Sequence, residues 1–456
     1  MTLIATAKRL LPTNRFARSV TILAGGTAAG QALLVLAAPI LTRLYTPEDF
    51  GLLAVFAALL AVISVIASLR YELAIPLPED DLEAAHVVAL GLILVACMAT
   101  ASAALILAFS GQISKLLGVP AMAGLFWLLP PAILLSGAYG VFSYWATRTK
   151  AFPAIAQTRL VQAVATLALQ IGGYGLGALG LILGQAVGQG AGAGRLGAIA
   201  LRQNRGVFAQ VRPGGILLVA QRYRKFPIYS SWNALLNTAG TQLAPLMFAA
   251  YFGAAMVGLY ALALRVISIP VSVVGQAVGQ VFFSEAPAAR RKGDLKVLVE
   301  GLHARLAMIG ALPLAILVFF GPELFEIVFG AQWRSAGVYA QWMAPWIYLQ
   351  FQWSPLSTLA SVLDLQREAL IQQIISFIVR VGSVAACVFF GIEALPTLKV
   401  FAIVSALVYV GRIFWFMRRA GVNLFSLMRT EIIAIACGFF LAGLAHFLLE
   451  AQRSEW

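Results

Sequence analysis

The stretch Val87–Ser114, VVALGLILVACMATASAALILAFSGQIS, runs without a single charge. A hydrocarbon layer about 30 Å thick is crossed by about 20 mostly apolar residues in a helix, and this stretch is long enough. Comparable charge-free runs extend from Ser19 to Thr42, Phe50 to Leu69, Leu116 to Thr147, Phe226 to Leu264 and Trp342 to Leu363. Over the 456 residues, 61% are hydrophobic and 11% charged, against about a quarter charged in an ordinary soluble domain. The composition therefore predicts an all-α integral membrane protein and excludes a soluble enzyme or binding module. Thirteen spans are expected, at 19–42, 50–69, 84–109, 122–146, 154–177, 179–201, 228–251, 254–283, 300–321, 336–362, 369–390, 396–417 and 431–449.

The formal charge of +14 would suggest a nucleic-acid partner in a soluble protein. In a membrane protein, basic residues collect in cytoplasmic loops, so no nucleic acid is expected. With the N-terminus inside, 24 of the 32 Lys and Arg residues fall in inner segments and five in outer ones, leaving Arg265, Arg380 and Arg412 within spans. That bias predicts a multi-pass protein of a bacterial inner membrane with a cytoplasmic N-terminus. Cys97, Cys387 and Cys437 lack CxxC spacing and predict neither a zinc site nor a disulfide framework.

The basic inner loop divides the chain. Residues 1–18 read as a short cytoplasmic amphipathic lead-in, 19–201 as a six-span lobe, 202–227 as the inter-lobe loop, 228–417 as a second six-span lobe, and 418–456 as an extension with a thirteenth span. The expected fold is thus 12–13 helices in two pseudo-symmetric lobes around a central cavity. A weak internal repeat agrees: Pro39 followed by Gly51-Leu52 recurs as Pro245 followed by Gly258-Leu259. Glycines at 180, 184, 188 and 192, and at 275 and 279, have the every-fourth spacing that lets helices approach closely in lipid. The hexapeptide Gly-Gln-Ala-Val-Gly-Gln occurs at both 184–189 and 275–280 and reads as a packing seam. Pro130, Pro131, Pro245, Pro270, Pro313, Pro345 and Pro355 predict bends.

No P-loop, HExxH or paired-cysteine motif is present, and no loop is large enough for a catalytic domain. A transporter is expected, not an enzyme. His86, His303 and His446 lack ligand-like neighbours and read as packing residues. Glu79–Glu83 reads as a helix cap more than a metal site. The informative charges are the arginines inside spans. An Arg at a helix centre costs about 2.5–3.5 kcal/mol on insertion scales and usually faces a polar cavity. Arg265 and Arg380 reach mid-span; Arg412 lies nearer the cytoplasmic end. No acidic residue is expected at comparable depth, so the cavity should favour an anion, which guanidinium binds bidentately. Arg265 and Arg380 are the candidate diphosphate contacts. Asn233, Asn237, Gln242, Gln276, Gln280 and Arg412 form a weaker polar set that could meet sugar hydroxyls or simply join helices.

Several stretches carry a family resemblance. Leu41-Thr42-Arg43-Leu44-Tyr45-Thr46-Pro47-Glu48-Asp49-Phe50-Gly51 and Leu69-Arg70-Tyr71-Glu72-Leu73-Ala74-Ile75 resemble the oligosaccharide flippases of polysaccharide biosynthesis (Wzx-type). These belong to the superfamily shared with multidrug exporters and peptidoglycan-precursor flippases. Val257–Val266, Gly275–Phe282, Phe329–Gly337 and Gln366–Ala369 resemble the same flippases. The resemblance covers most of the chain to about Trp415 and implies a V-shaped two-lobe transporter with a positively charged cavity. The cargo it implies is an undecaprenyl-diphosphate-linked oligosaccharide, flipped by alternating access for assembly of O-antigen, capsule or exopolysaccharide. Membrane lipids surround it, and a polymerase and a chain-length regulator of the same pathway are the implied partners. No cofactor is expected, and proton or sodium coupling stays open. Arg265 matches the family pattern by position; Arg380 rests on the physical argument alone. The rivals are a peptidoglycan-precursor flippase, a cation-coupled drug exporter and, from another class, a membrane-embedded glycan polymerase. The drug exporter would want a deep carboxylate, and the polymerase a large outer loop.

Overall fold

The computed structural model describes the backbone of residues 15–454. It describes the side chains of residues 25–448 except Pro270, Ser272, Val273, Gln276, Ala277, Gln280, Phe283 and Ser284. The expectations for Gln276 and Gln280, for the bend at Pro270 and for most of the lead-in lie outside the described residues. Among the described residues there is no strand.

The first span is α1 (Arg15–Leu36) with α2 (Ala38–Leu44), followed by α3 (Pro47–Ser64). A capping box starts α3: Asp49 N donates to Thr46 Oγ1 at 3.2 Å, and Thr46 N donates to Asp49 Oδ2 at 3.0 Å, so two otherwise orphaned amides are satisfied. Next is α4 (Asp81–Leu116), capped by Asp80, which accepts from the amides of Leu82 and Glu83. This is the capping role read from Glu79–Glu83. In α5 (Leu129–Arg148), Pro130 and Pro131 fall in the first turn, where a missing N–H interrupts no helical bond. They start the helix; they do not kink it. Then come α6 (Phe152–Gly172), α7 (Ala178–Gln203) and α8 (Pro213–Arg222), the last formed by the basic loop.

The remaining helices are α9 (Ser231–Lys292), α10 (Leu295–Phe329), α11 (Arg334–Leu356), α12 (Gln366–Phe389), α13 (Ala394–Arg419) and α14 (Leu424–Ser454). Gly253, at φ 82° and ψ 175°, breaks α9 between the seventh and eighth expected spans; only glycine takes that conformation without strain. Pro313 and Pro322 lie inside α10, and Pro345 and Pro355 inside α11. Each expected span overlaps a helix, although 50–69, 122–146 and 336–362 run beyond α3, α5 and α11 into turns. Among the described residues, ten stretches are long and apolar enough to cross a membrane, including Leu424–Leu448 of α14. The protein is an all-α, multi-pass membrane protein.

The chain forms two compact units, Met1–Gly258 and Leu259–Trp456. The division falls one span later than the basic loop at 202–227. Close glycine contacts bind the first part of α9 into the first unit. A Cβ on Gly51 would overlap the Ala254 carbonyl, one on Gly258 would overlap the Pro47 carbonyl, and one on Gly118 would overlap that of Ala250. The contact is reciprocal: Gly51 is four residues beyond Pro47, and Gly258 four beyond Ala254. The two glycines of the internal repeat therefore meet around a local pseudo-twofold.

Both copies of the hexapeptide are packing seams. Gly184, Gly188 and Gly192 bring α7 against Thr166, Gln170 and Gln162 of α6. Gly275 and Gly279 bring α9 against Ser354 and Pro355 of α11.

Candidate functional site

In the first unit, cations near helix ends meet acids. Arg148, with a side chain 11% exposed, donates Nε and Nη2 to Asp81 Oδ1 at 3.0 and 2.8 Å. It also donates to the carbonyls of Pro78 at 2.5 Å and Glu79 at 3.1 Å, fastening the segment that leads into α4. Arg222 pairs with Glu83 at 2.9 Å, and the Tyr223 hydroxyl donates to the same carboxylate at 3.0 Å. Burial, and then the Glu83 carboxylate, hold the Tyr223 phenol above its ordinary pKa. His86 Nδ1 lies 2.8 Å from the Leu82 carbonyl, and the Arg212 amide donates to His86 Nε2 at 3.1 Å, so the ring seats α8 on α4. Arg70 approaches Glu72 at 3.3 Å, and the Ser68 hydroxyl bonds the same, nearly buried carboxylate. Arg70 and Leu69 both have positive φ, a strained turn for residues with a Cβ.

The second unit treats its interior arginines differently. The Arg380 guanidinium on α12 lies 5.1 Å from the Trp346 ring centre on α11 and 5.0 Å from that of Phe401 on α13. Its buried Nε has no hydrogen-bond partner among the described residues. Two further polar groups of this cluster are also unpartnered: Trp346 Nε1 and the hydroxyl of fully buried Ser405, one turn from Phe401 on α13. Tyr409 stacks on Trp346 at 6.3 Å, and buried Tyr260 of α9 lies within electrostatic range of Arg380. Cation–π contact at a partly buried site contributes about 0.5–2 kcal/mol and does not itself use the guanidinium's N–H donors.

Arg412 on α13 has one of its nitrogens engaged. Nη2 donates to Ser376 Oγ at 2.8 Å, Gln373 Oε1 at 3.1 Å and the Gln372 carbonyl at 3.3 Å, all on α12. The group also sits over Trp353 and Tyr409. Arg412 thus ties two helices together. Among the described residues no ion pair involves Arg380 or Arg412. Arg265, on α9, is partly buried and engaged by a neighbouring group.

Of the weaker set, Asn233 and Asn237 are exposed and Gln242 is partly buried, all in the first unit. Arg265, Arg380 and Arg412 belong to the second. The structure brings Arg380 and Arg412 around one aromatic cluster through Tyr409. Sequence reasoning missed the rings that build it: Trp346, Phe401 and Tyr409 look like ordinary apolar span residues. It also missed Glu431. Its side chain is 18% exposed and lies 2.9 Å from His303, which is 3% exposed. The expected thirteenth span began at Glu431, whereas α14 begins at Leu424, which places Glu431 about two turns into the helix.

This arrangement, long apolar helices throughout with an arginine held between rings, is that of an integral membrane protein. The structure is similar to a lipid II flippase, MurJ, in an inward closed conformation. That match has a TM-score of 0.70 and 9% identity and covers 94% of this chain and 97% of that one. It is also similar to an inward-facing multidrug resistance MATE family transporter of the MOP superfamily, with a TM-score of 0.65 and 15% identity, over 88% of this chain and 96% of that one. The family model described as polysaccharide biosynthesis protein matches residues 40–337. The chain belongs to that family, in agreement with the resemblance carried by Leu41–Gly51 and Leu69–Ile75. No curated protein matches the chain.

Proposed function

We propose that this protein flips an undecaprenyl-diphosphate-linked oligosaccharide from the cytoplasmic to the periplasmic face of a bacterial inner membrane, by alternating access of two lobes. The product would feed the polymerase and chain-length regulator of the same pathway. The observation that carries this reading is Arg380: a partly buried guanidinium held by rings, with a buried, free Nε and, among the described residues, no carboxylate paired to it. A diphosphate is the charged part of such a cargo, and Trp346 Nε1 and Ser405 Oγ are further groups able to bond its oxygens. The 24 to 5 distribution of basic residues supports the orientation.

The test is deletion of the gene, followed by analysis of lipid-linked glycans. The expected result is accumulation of one completed lipid-linked oligosaccharide on the cytoplasmic face, with loss of its surface polymer. Accumulation of a peptidoglycan precursor instead would transfer the reading to that class of flippase.

A further inference from the structure

Three helices of the second unit bring four polar side chains together in an otherwise apolar interior. From α10 comes His303, from α14 Glu431, and from α11 Tyr348 and Gln352. The His303 Nε2 atom and Glu431 Oε1 are 2.9 Å apart, within ion-pair reach though off the hydrogen-bond axis. Tyr348 donates its hydroxyl to Glu431 Oε2 at 2.8 Å and lies 3.4 Å from the Ala307 carbonyl. Gln352, one turn further along α11, is fully buried with neither amide atom partnered, and His303 Nδ1 is also unpartnered.

This is a poor way to join helices. Unsatisfied buried polar atoms cost about 1–3 kcal/mol each, and an apolar replacement of a buried pair is often neutral or stabilising. On α9, whose Val266 lines the same cavity as Tyr348, Arg265 is partly buried and engaged by a neighbouring group. On α10, Arg305 and Lys296 are exposed, and Glu300 is 4.0 Å from Lys296. On α14, Arg429 is exposed, and His446 lies tilted against Phe319 and Phe320. On α13, Arg412 is engaged with α12, while Arg418 and Arg419 are exposed. Among the described residues, no other charged side chain pairs with His303 or Glu431. At 2.9 Å the imidazole nitrogen and the carboxyl oxygen are close enough to share a proton.

Tyr348 connects this pair to something that can move. Its ring lines an apolar cavity of about 190 Å³ with Val266, Leu314, Ile347 and Phe351. Tyr348 and Gln352 also lie between Pro345 and Pro355, each of which removes a helical hydrogen bond and makes bending easier.

We propose that His303 and Glu431, assisted by Tyr348 and Gln352, form a proton-binding site within the second unit, and that its loading is coupled to the position of α11. The coupling deepens the transport reading; the binding of a proton stands apart from it. Two experiments on the full-length protein separate them.

The first is an infrared pH titration of purified protein in lipid nanodiscs, comparing wild type with Glu431→Gln and His303→Gln. A titrating carboxyl or imidazole signal present in wild type and absent from both variants is expected, and Tyr348→Phe should shift its midpoint. Identical difference spectra in wild type and Glu431→Gln would overturn the site, and an unshifted midpoint in Tyr348→Phe would overturn the link to α11. The second uses proteoliposomes loaded with the lipid-linked glycan that the deletion strain accumulates. An imposed pH gradient should speed wild-type flipping several-fold, while Glu431→Gln should flip equally with and without it. A gradient response retained in Glu431→Gln would overturn the coupling. Absence of any flipping would count against the cargo, with the titration still deciding the site.

Discussion

Arginines near helix ends and arginines within helices are held in opposite ways. Of the former, Arg148, Arg222 and Arg70 each meet a carboxylate, Asp81, Glu83 and Glu72 respectively. Of the latter, Arg380 and Arg412 meet rings, amides and hydroxyls, and among the described residues no acid. An ion pair neutralises its arginine and makes it part of the scaffold. An arginine held between aromatic faces keeps its charge and its donors for a ligand. The contrast extends to a single pair of neighbours: Arg412 has three hydrogen bonds to α12 through one nitrogen, whereas buried Arg380 Nε has none.

Three substitutions sharpen this comparison. The largest effect on folding is expected from Arg148→Ala, which removes a nearly buried group that donates to Asp81 and to two carbonyls. Hydrogen bonds involving a charged partner contribute about 1.5–3 kcal/mol each, so the variant should show several-fold lower membrane abundance and a lower melting temperature. Unchanged abundance would mean that the α4 entry is held by the Asp80 cap alone.

A smaller effect is expected from Arg412→Ala. Loss of the bonds to Gln372, Gln373 and Ser376 should lower stability by about 1–3 kcal/mol, with export falling in proportion to abundance. Export that falls much further than abundance would move Arg412 from scaffold to cargo site. Least of all is expected from Arg222→Ala: its side chain is 66% exposed, and such surface pairs contribute about 0–1 kcal/mol. A melting shift as large as that of Arg148→Ala would break the distinction between exposed and buried pairs.

Much of the fold was legible because a bilayer demands long apolar helices, and runs such as Val87–Ser114 have no other use. The close approach at Gly184, Gly188 and Gly192 was legible too, since spacing by four places every Cα on one helix face. The bends were less so. Pro130 and Pro131 became helix starters because α5 begins at Leu129, and one turn decides whether a proline breaks a bond. The site was half legible. The placing of Arg380 and Arg412 within helices followed from the apolar runs, but their different surroundings depend on how α12 and α13 are rotated about their axes. That rotation brings Ser376 to Arg412 across 36 residues of sequence and Trp346 to Arg380 from a separate helix. Glu431 was hidden for a related reason: its partner His303 lies far away in the chain, on α10, and no local pattern announces the pair.

The central claim is that Arg380 holds cargo while Arg412 holds helices. The most direct measurement is the ratio of surface glycan to membrane-inserted protein in cells carrying Arg380→Ala, Arg380→Lys or Arg412→Ala. Arg380→Ala should insert normally, since removing a buried charge eases insertion, yet its ratio should fall about tenfold or more, the loss of one charge-assisted contact. Arg380→Lys should recover part of it, keeping the charge without the bidentate fork, and Arg412→Ala should keep a ratio near wild type. A normal ratio in Arg380→Ala at normal abundance would contradict the account.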